Sequence, residues 1–132
     1  MDAATRTLVR ERANDRCEYC LLPQKYCDLA HHIEHIVSKQ HNGTDIEQNL
    51  ALACHRCNLR KGPNLTGIDP VSGELVRLFH PRHDRWEEHF LIEGLRIEGR
   101  TPVGRATVQV LAMNDARRLE LRLELLEHSS WE

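Results

Sequence analysis

The chain has 132 residues with 29% charged, 40% hydrophobic and only 5% aromatic side chains, a composition that excludes a disordered chain and calls for an aliphatic core. A formal net charge of −2 gives no overall attraction to nucleic acid, so any basic footprint must be local. No apolar run approaches the roughly 20 residues of a membrane helix, and residues 1–15 lack the apolar centre of a signal peptide, so the expected location is cytoplasmic.

In chain order, residues 5–15 read as a short helix with Leu8 and Val9 as its large apolar residues. Ala30–Val37 is a strand, His41–Asp45 a turn by composition, and Asn49–Ala53 a second short strand. A helix begins near His55 and stops at Gly62-Pro63. Residues 64–73 read as loop. Leu75–Phe79 and Phe90–Ile97 read as strands, with a turn or bulge at Gly94. Pro102 suits the first turn of a helix continuing through Val110 and Leu111. Asp115 can cap a last helix whose Leu119, Leu123 and Leu126 share one face, its acids and arginines forming a solvated face. One domain over 1–132 is expected, with a catalytic part at about 17–62 and a supporting extension at about 63–132.

Cys17-Glu-Tyr-Cys20 and Cys54-His-Arg-Cys57 are paired C-x-x-C turns. Each offers thiolates from one tight turn, and the pairs together supply the tetrahedral set of a structural zinc ion. A redox C-x-x-C needs a thioredoxin-like βαβ context, which is missing here. Cys27 is left over and reads as a partly buried free thiol.

Between the cysteine pairs lie His32, Glu34, His35 and Asn49, and Asn58 comes directly after the second pair. Phosphodiester hydrolysis needs a base for water and a cation on the phosphate. Imidazole titrates near neutrality, so His35 can be the base; Glu34 offers a hard oxygen to a divalent metal and Asn58 a neutral one. In a regular strand Glu34 and His35 point to opposite faces, so both serve one site only if the strand bends or ends there. His32 shares a face with Glu34 and is the secondary candidate, as metal ligand or phosphate contact. Arg56, Arg60 and Lys61 form the local basic footprint and are candidates for phosphate contact. The stretch carrying His80, His83 and His89 reads as a packing element, with Trp86 and Phe90 one helical turn apart.

In order, the motifs CEYC, EHI, NGTD, NL and CHRCNLRKG resemble those of zinc-bearing members of the HNH endonuclease family, the ββα-metal or His-Me finger nucleases. The resemblance covers about residues 17–62. It implies an α+β fold with a small ββα-metal core, extended here by a C-terminal β-hairpin and helices. It implies His35 as general base, and Glu34 and Asn58 as ligands of a catalytic magnesium or manganese ion. Asn49 would brace the loop and orient the base by hydrogen bonding. Glu34 stands where aspartate is common, and Asn58 where the family name implies histidine; neither change removes a needed group. The implied substrate is DNA, with RNA open, and the implied assembly a monomer or homodimer. A non-catalytic zinc-ribbon module explains the cysteines equally well, but has no need of Glu34, His35, Asn49 and Asn58 together.

Overall fold

A computed structural model describes residues 1–128; residues 129–132, within the expected single domain, lie outside the described residues. Asp2 caps the first helix, α1 (Ala3–Arg12), by accepting a hydrogen bond from Thr5 N at 2.8 Å. The last turn of α1 grips two later segments of the chain: Arg10 donates to His31 O at 2.9 Å, and Arg12 donates to Leu50 O at 2.6 Å and Glu47 O at 2.8 Å. These carbonyls flank an antiparallel pair, β1 (His32–His35) and β2 (Leu50–Ala53), in which His32 lies opposite Ala53 and His35 opposite Leu50. Every β2 residue is buried. Next comes α2 (His55–Lys61), which starts at His55 and ends at Gly62 as the sequence pattern predicts, with Cys54 as its cap. Strand, strand and helix form the ββα unit, and α2 packs on both strands.

The loop from β1 to β2 is tightly folded. Gly43 donates to Ser38 O at 2.9 Å, and a Cβ there would collide with the Val37 carbonyl, so only glycine fits.

The extension adds β3 (Thr66–Ile68), β4 (Leu75–Arg77), α3 (Trp86–His89), β5 (Phe90–Glu93), β6 (Arg96–Gly99), α4 (Pro102–Val110) and α5 (Ala116–His128). The β5–β6 hairpin turns at Gly94, whose φ of 61° lies in the left-handed region. Pro102 opens α4 behind its cap Thr101. Two expectations are corrected. Residues 64–73 are not all loop, because Thr66–Ile68 pairs with Leu75–Arg77. On α5, Leu123 and Leu126 are about half exposed, while Arg118, Arg122 and Leu125 are buried. The arginines have inward partners that outweigh the leucine stripe.

A single apolar cluster joins both halves: Tyr19, Ile36 and the metal-type cysteines of the core pack with Phe79, Phe90, Ile97, Leu111 and Met113 of the extension. The structure is therefore a small α+β core with antiparallel hairpins and helices laid against its cysteine cluster. Among the described residues no helix is long and apolar enough to cross a membrane.

Candidate metal centre and active site

The four cysteines converge. Their sulfurs lie within 4.8 Å of one another, all buried, and Cys20 Sγ is 3.7 Å from Cys54 Sγ. Zinc–sulfur bonds of about 2.3 Å at tetrahedral angles set a sulfur–sulfur edge of about 3.8 Å, so the set fits one zinc ion. In each turn the second cysteine's N–H donates to the first sulfur, at 3.4 Å for Cys20 to Cys17 and 3.5 Å for Cys57 to Cys54. Cys54 also caps α2, where the helix dipole favours a thiolate. Hydrogen bonding within the cluster holds the Cys20 and Cys54 thiols below their ordinary pKa, whereas burial pushes Cys17 and Cys57 well up. A bound cation would relieve that conflict.

One partner was hidden from sequence reasoning. Arg118 reaches in from α5, with Nη2 2.9 Å from Cys57 Sγ and 3.9 Å from Cys54 Sγ. Nη1 donates to Leu111 O at 2.8 Å. Burial works against its charge, yet attraction to Cys20, Cys57 and Cys54 outweighs this and holds its pKa above the ordinary value. A four-thiolate zinc site carries excess negative charge, and Arg118 compensates it. The spacing of Arg118 and Arg122 on α5 looked like a solvated face because the sulfurs that Arg118 meets lie some sixty residues away in the chain.

Tyr19, inside the first cysteine turn, is fully buried and donates its hydroxyl to Glu34 Oε1 at 2.8 Å. Lys61 Nζ lies 3.2 Å from the same oxygen and donates to Ile36 O at 2.9 Å. Glu34 Oε2 is buried with no hydrogen-bond partner among the described residues. Burial raises the Glu34 carboxyl, and Lys61 and Tyr19 hold it back. Lys61 is only 2% exposed, so the expectation that it meets a phosphate is corrected: its ammonium balances Glu34 inside the protein.

Strand β1 ends at His35, and the two neighbouring side chains part there. His35 turns to the surface, where Nε2 donates to Asp45 Oδ1 at 2.6 Å. That hydrogen bond holds the Asp45 carboxyl below its ordinary pKa. It also leaves Nδ1 of the neutral ring without its proton. Asn49 does not touch the ring. It accepts from Val37 N at 2.8 Å and donates to Val37 O at 3.0 Å and Thr44 O at 2.8 Å, tying down the loop that presents Asp45.

Asn58 lies on α2, one turn before Lys61 and partly exposed. Arg60 is exposed, whereas Arg56 leans toward Asp115 of the extension at 3.8 Å. His32 pairs with His55, Nε2 to Nδ1 at 3.2 Å, on the strand face that Glu34 shares. Asp45, Tyr19, His55 and Arg118 are the residues sequence reasoning did not single out. Only Asp45 carried a signal, since an acid lay in the loop after the candidate base.

Residues 17–64 match the family model described as HNH endonuclease. No curated protein and no solved structure matches the chain. With a ββα core and a four-cysteine cluster consistent with zinc, residues 17–64 thus have the features of a zinc-containing HNH endonuclease domain.

Proposed function

We propose that the protein is an endonuclease that hydrolyses DNA phosphodiester bonds, with His35 as the base that activates water. The observation that carries this is the His35–Asp45 hydrogen bond of 2.6 Å on the surface of the family-matched segment. A carboxylate fixes the ring and its tautomer, and Nδ1 is left to take a proton from water. As that proton arrives, Asp45 stabilises the imidazolium. The hydroxide so formed attacks phosphorus, the bridging P–O bond breaks, and the leaving oxygen takes a proton from solvent.

Glu34 fits the role of metal ligand because Oε2 is buried and unpartnered while Oε1 is fixed by Tyr19 and Lys61. Glu34 through Oε2 and Asn58 through its amide oxygen would hold magnesium or manganese. When bound, such an ion supplies Lewis-acid polarisation and charge neutralisation at the phosphate. Arg60, exposed on α2, would meet a neighbouring phosphate, and Asn49 keeps the Asp45 loop in place. One site per chain would cut both strands as a homodimer or by successive nicks.

The test is nicking of supercoiled plasmid, with magnesium and with chelator. Wild type should nick only with the metal, and His35→Ala should be slower by at least about a hundredfold with DNA binding little changed. Plasmid binding without nicking at any divalent metal would leave the zinc-ribbon module as the reading. Near-normal nicking by a folded His35→Ala protein would move the base role to another group, His32 first.

A further inference from the structure

A groove of about 380 Å³ lies between the end of β1 and the segment after β4; of its lining only Lys61, paired with Glu34, has a role above. Ile36 and Val37, the next two residues after His35, line it with Leu65; His80 and His83 of the extension also line it. Core and extension thus build it together, with the two residues that follow the candidate base in its wall. Its volume falls toward the lower end of the about 300–1,000 Å³ of small-ligand pockets, the scale of a nucleotide and not of a duplex.

The two imidazoles are stacked, with centroids 3.9 Å apart and planes within 3°. His80 is fixed in place. Its Nδ1 accepts from Arg82 N at 3.2 Å and His83 N at 3.3 Å, and its own N–H donates to Asp84 at 2.8 Å. His83 is exposed and lies flat against this anchored ring. Arg77, the groove's exposed cation, is taken up by Asp84 through bonds of 2.6 and 3.0 Å. The groove therefore offers flat ring surface and aliphatic wall, with little net charge to attract a phosphate. That chemistry suits the face of a nucleobase, which stacks on aromatic rings whatever its sequence.

We propose that this groove is a base-binding subsite, in which a nucleobase that is unpaired or turned out of a duplex stacks on His83 beside the bond that His35 addresses. Stacking supplies affinity that a chain of net charge −2 cannot draw from phosphate attraction alone. It also favours single-stranded or mismatched substrate, because a base already unstacked spares the energy of extrusion. The subsite rests on the nuclease reading for its purpose but not for its binding.

The probe is a set of oligonucleotides carrying 2-aminopurine at successive positions, as single strand, mismatched duplex and perfect duplex. Binding is read with wild-type zinc-loaded protein in calcium, then cleavage in magnesium. Wild type should alter the fluorescence at one position, bind single strand and mismatch more tightly than perfect duplex, and cleave them faster. His83→Ala should weaken single-strand binding by about fivefold or more and abolish the fluorescence change, whereas His83→Phe should keep both. Unchanged melting temperature and zinc content in both variants would show that the fold is intact. Wild-type-like binding by His83→Ala, or tighter binding of perfect duplex by wild type, would overturn the subsite. A wild type that shows the position-specific change but cleaves nothing would overturn the nuclease reading and leave the subsite standing.

Discussion

On the proposed mechanism, Asp45 is a small residue with a large part to play. Its carboxylate is on the surface, with a side chain 45% exposed, so it contributes little to the fold. Its hydrogen-bonded partner is His35, with the exposed Lys39 ammonium 3.7 Å from the same oxygen. Asp45→Ala should lower the cleavage rate by about 10–100-fold, as loss of an imidazole's orienting partner commonly does, while the melting temperature stays put. Asp45→Asn, which keeps an accepting oxygen, should recover part of that rate in the same single-turnover assay; equal losses in both variants would show that charge and not orientation matters. The cysteine cluster was legible because two C-x-x-C pairs are rare in such short order. Asp45 was not, because Asn42-Gly43-Thr44-Asp45 reads as turn composition until the loop folds back on β1. Lys61 was misplaced for the opposite reason: a lysine at a helix end belongs in water unless a buried acid calls it inward, and Glu34 does so.

Among the elements, the β3–β4 hairpin depends most on a single polar contact. Asp69, fully buried, accepts from Arg105 of α4 at 2.8 and 2.9 Å and also binds Val71 N and Ser72 Oγ. The Arg105 hydrogen bonds lead in holding its carboxyl far below the usual carboxylate range. A folded-state pKa below the unfolded value stabilises above the unfolded pKa and is lost as pH falls through it toward the folded one. Thermal stability should therefore drop as pH goes from about 5 toward 3, across the ordinary aspartate value. Asp69→Asn should be less stable at neutral pH and show a shallower acid limb; parallel limbs in melts across pH would disprove the assignment. The first strand of this hairpin was read as loop because Gly67 and Pro70 punctuate it, whereas α2 was legible from its start near His55 to its stop at Gly62-Pro63. Sequence periodicity also chose the wrong face of α5, since leucines outrank arginines in any apolar pattern.

For the molecule as a whole, the cysteine cluster is the junction at which α1–β1, α2 and α5 regions meet in one core. Such sites supply about 10–16 kcal/mol of apparent binding energy, so folding should track metal content. Purified protein should hold one zinc per chain by elemental analysis, and Cys54→Ser should lose zinc, melting temperature and nicking together. A zinc-free, cooperatively folded Cys54→Ser protein would contradict this. Tyr19 carries the link further, since it is held in the first cysteine turn yet bonded to Glu34. Partial zinc loss should therefore weaken the response to magnesium before the chain unfolds.

Arg118 adds a matter of timing. All four cysteines precede α5 in the chain, so Arg118 is made after them. A zinc ion taken up before α5 docks would meet the sulfurs without the guanidinium that ends up 2.9 Å from Cys57. Docking of α5 would then close the site like a latch and slow the ion's escape. Arg118→Met should accordingly take up zinc at the normal rate but surrender it to a chelator about tenfold faster, the size of change expected when a metal ligand loses its outer partner. Stopped-flow release from the full chain reads that difference directly, and identical release rates would mean the latch does not hold.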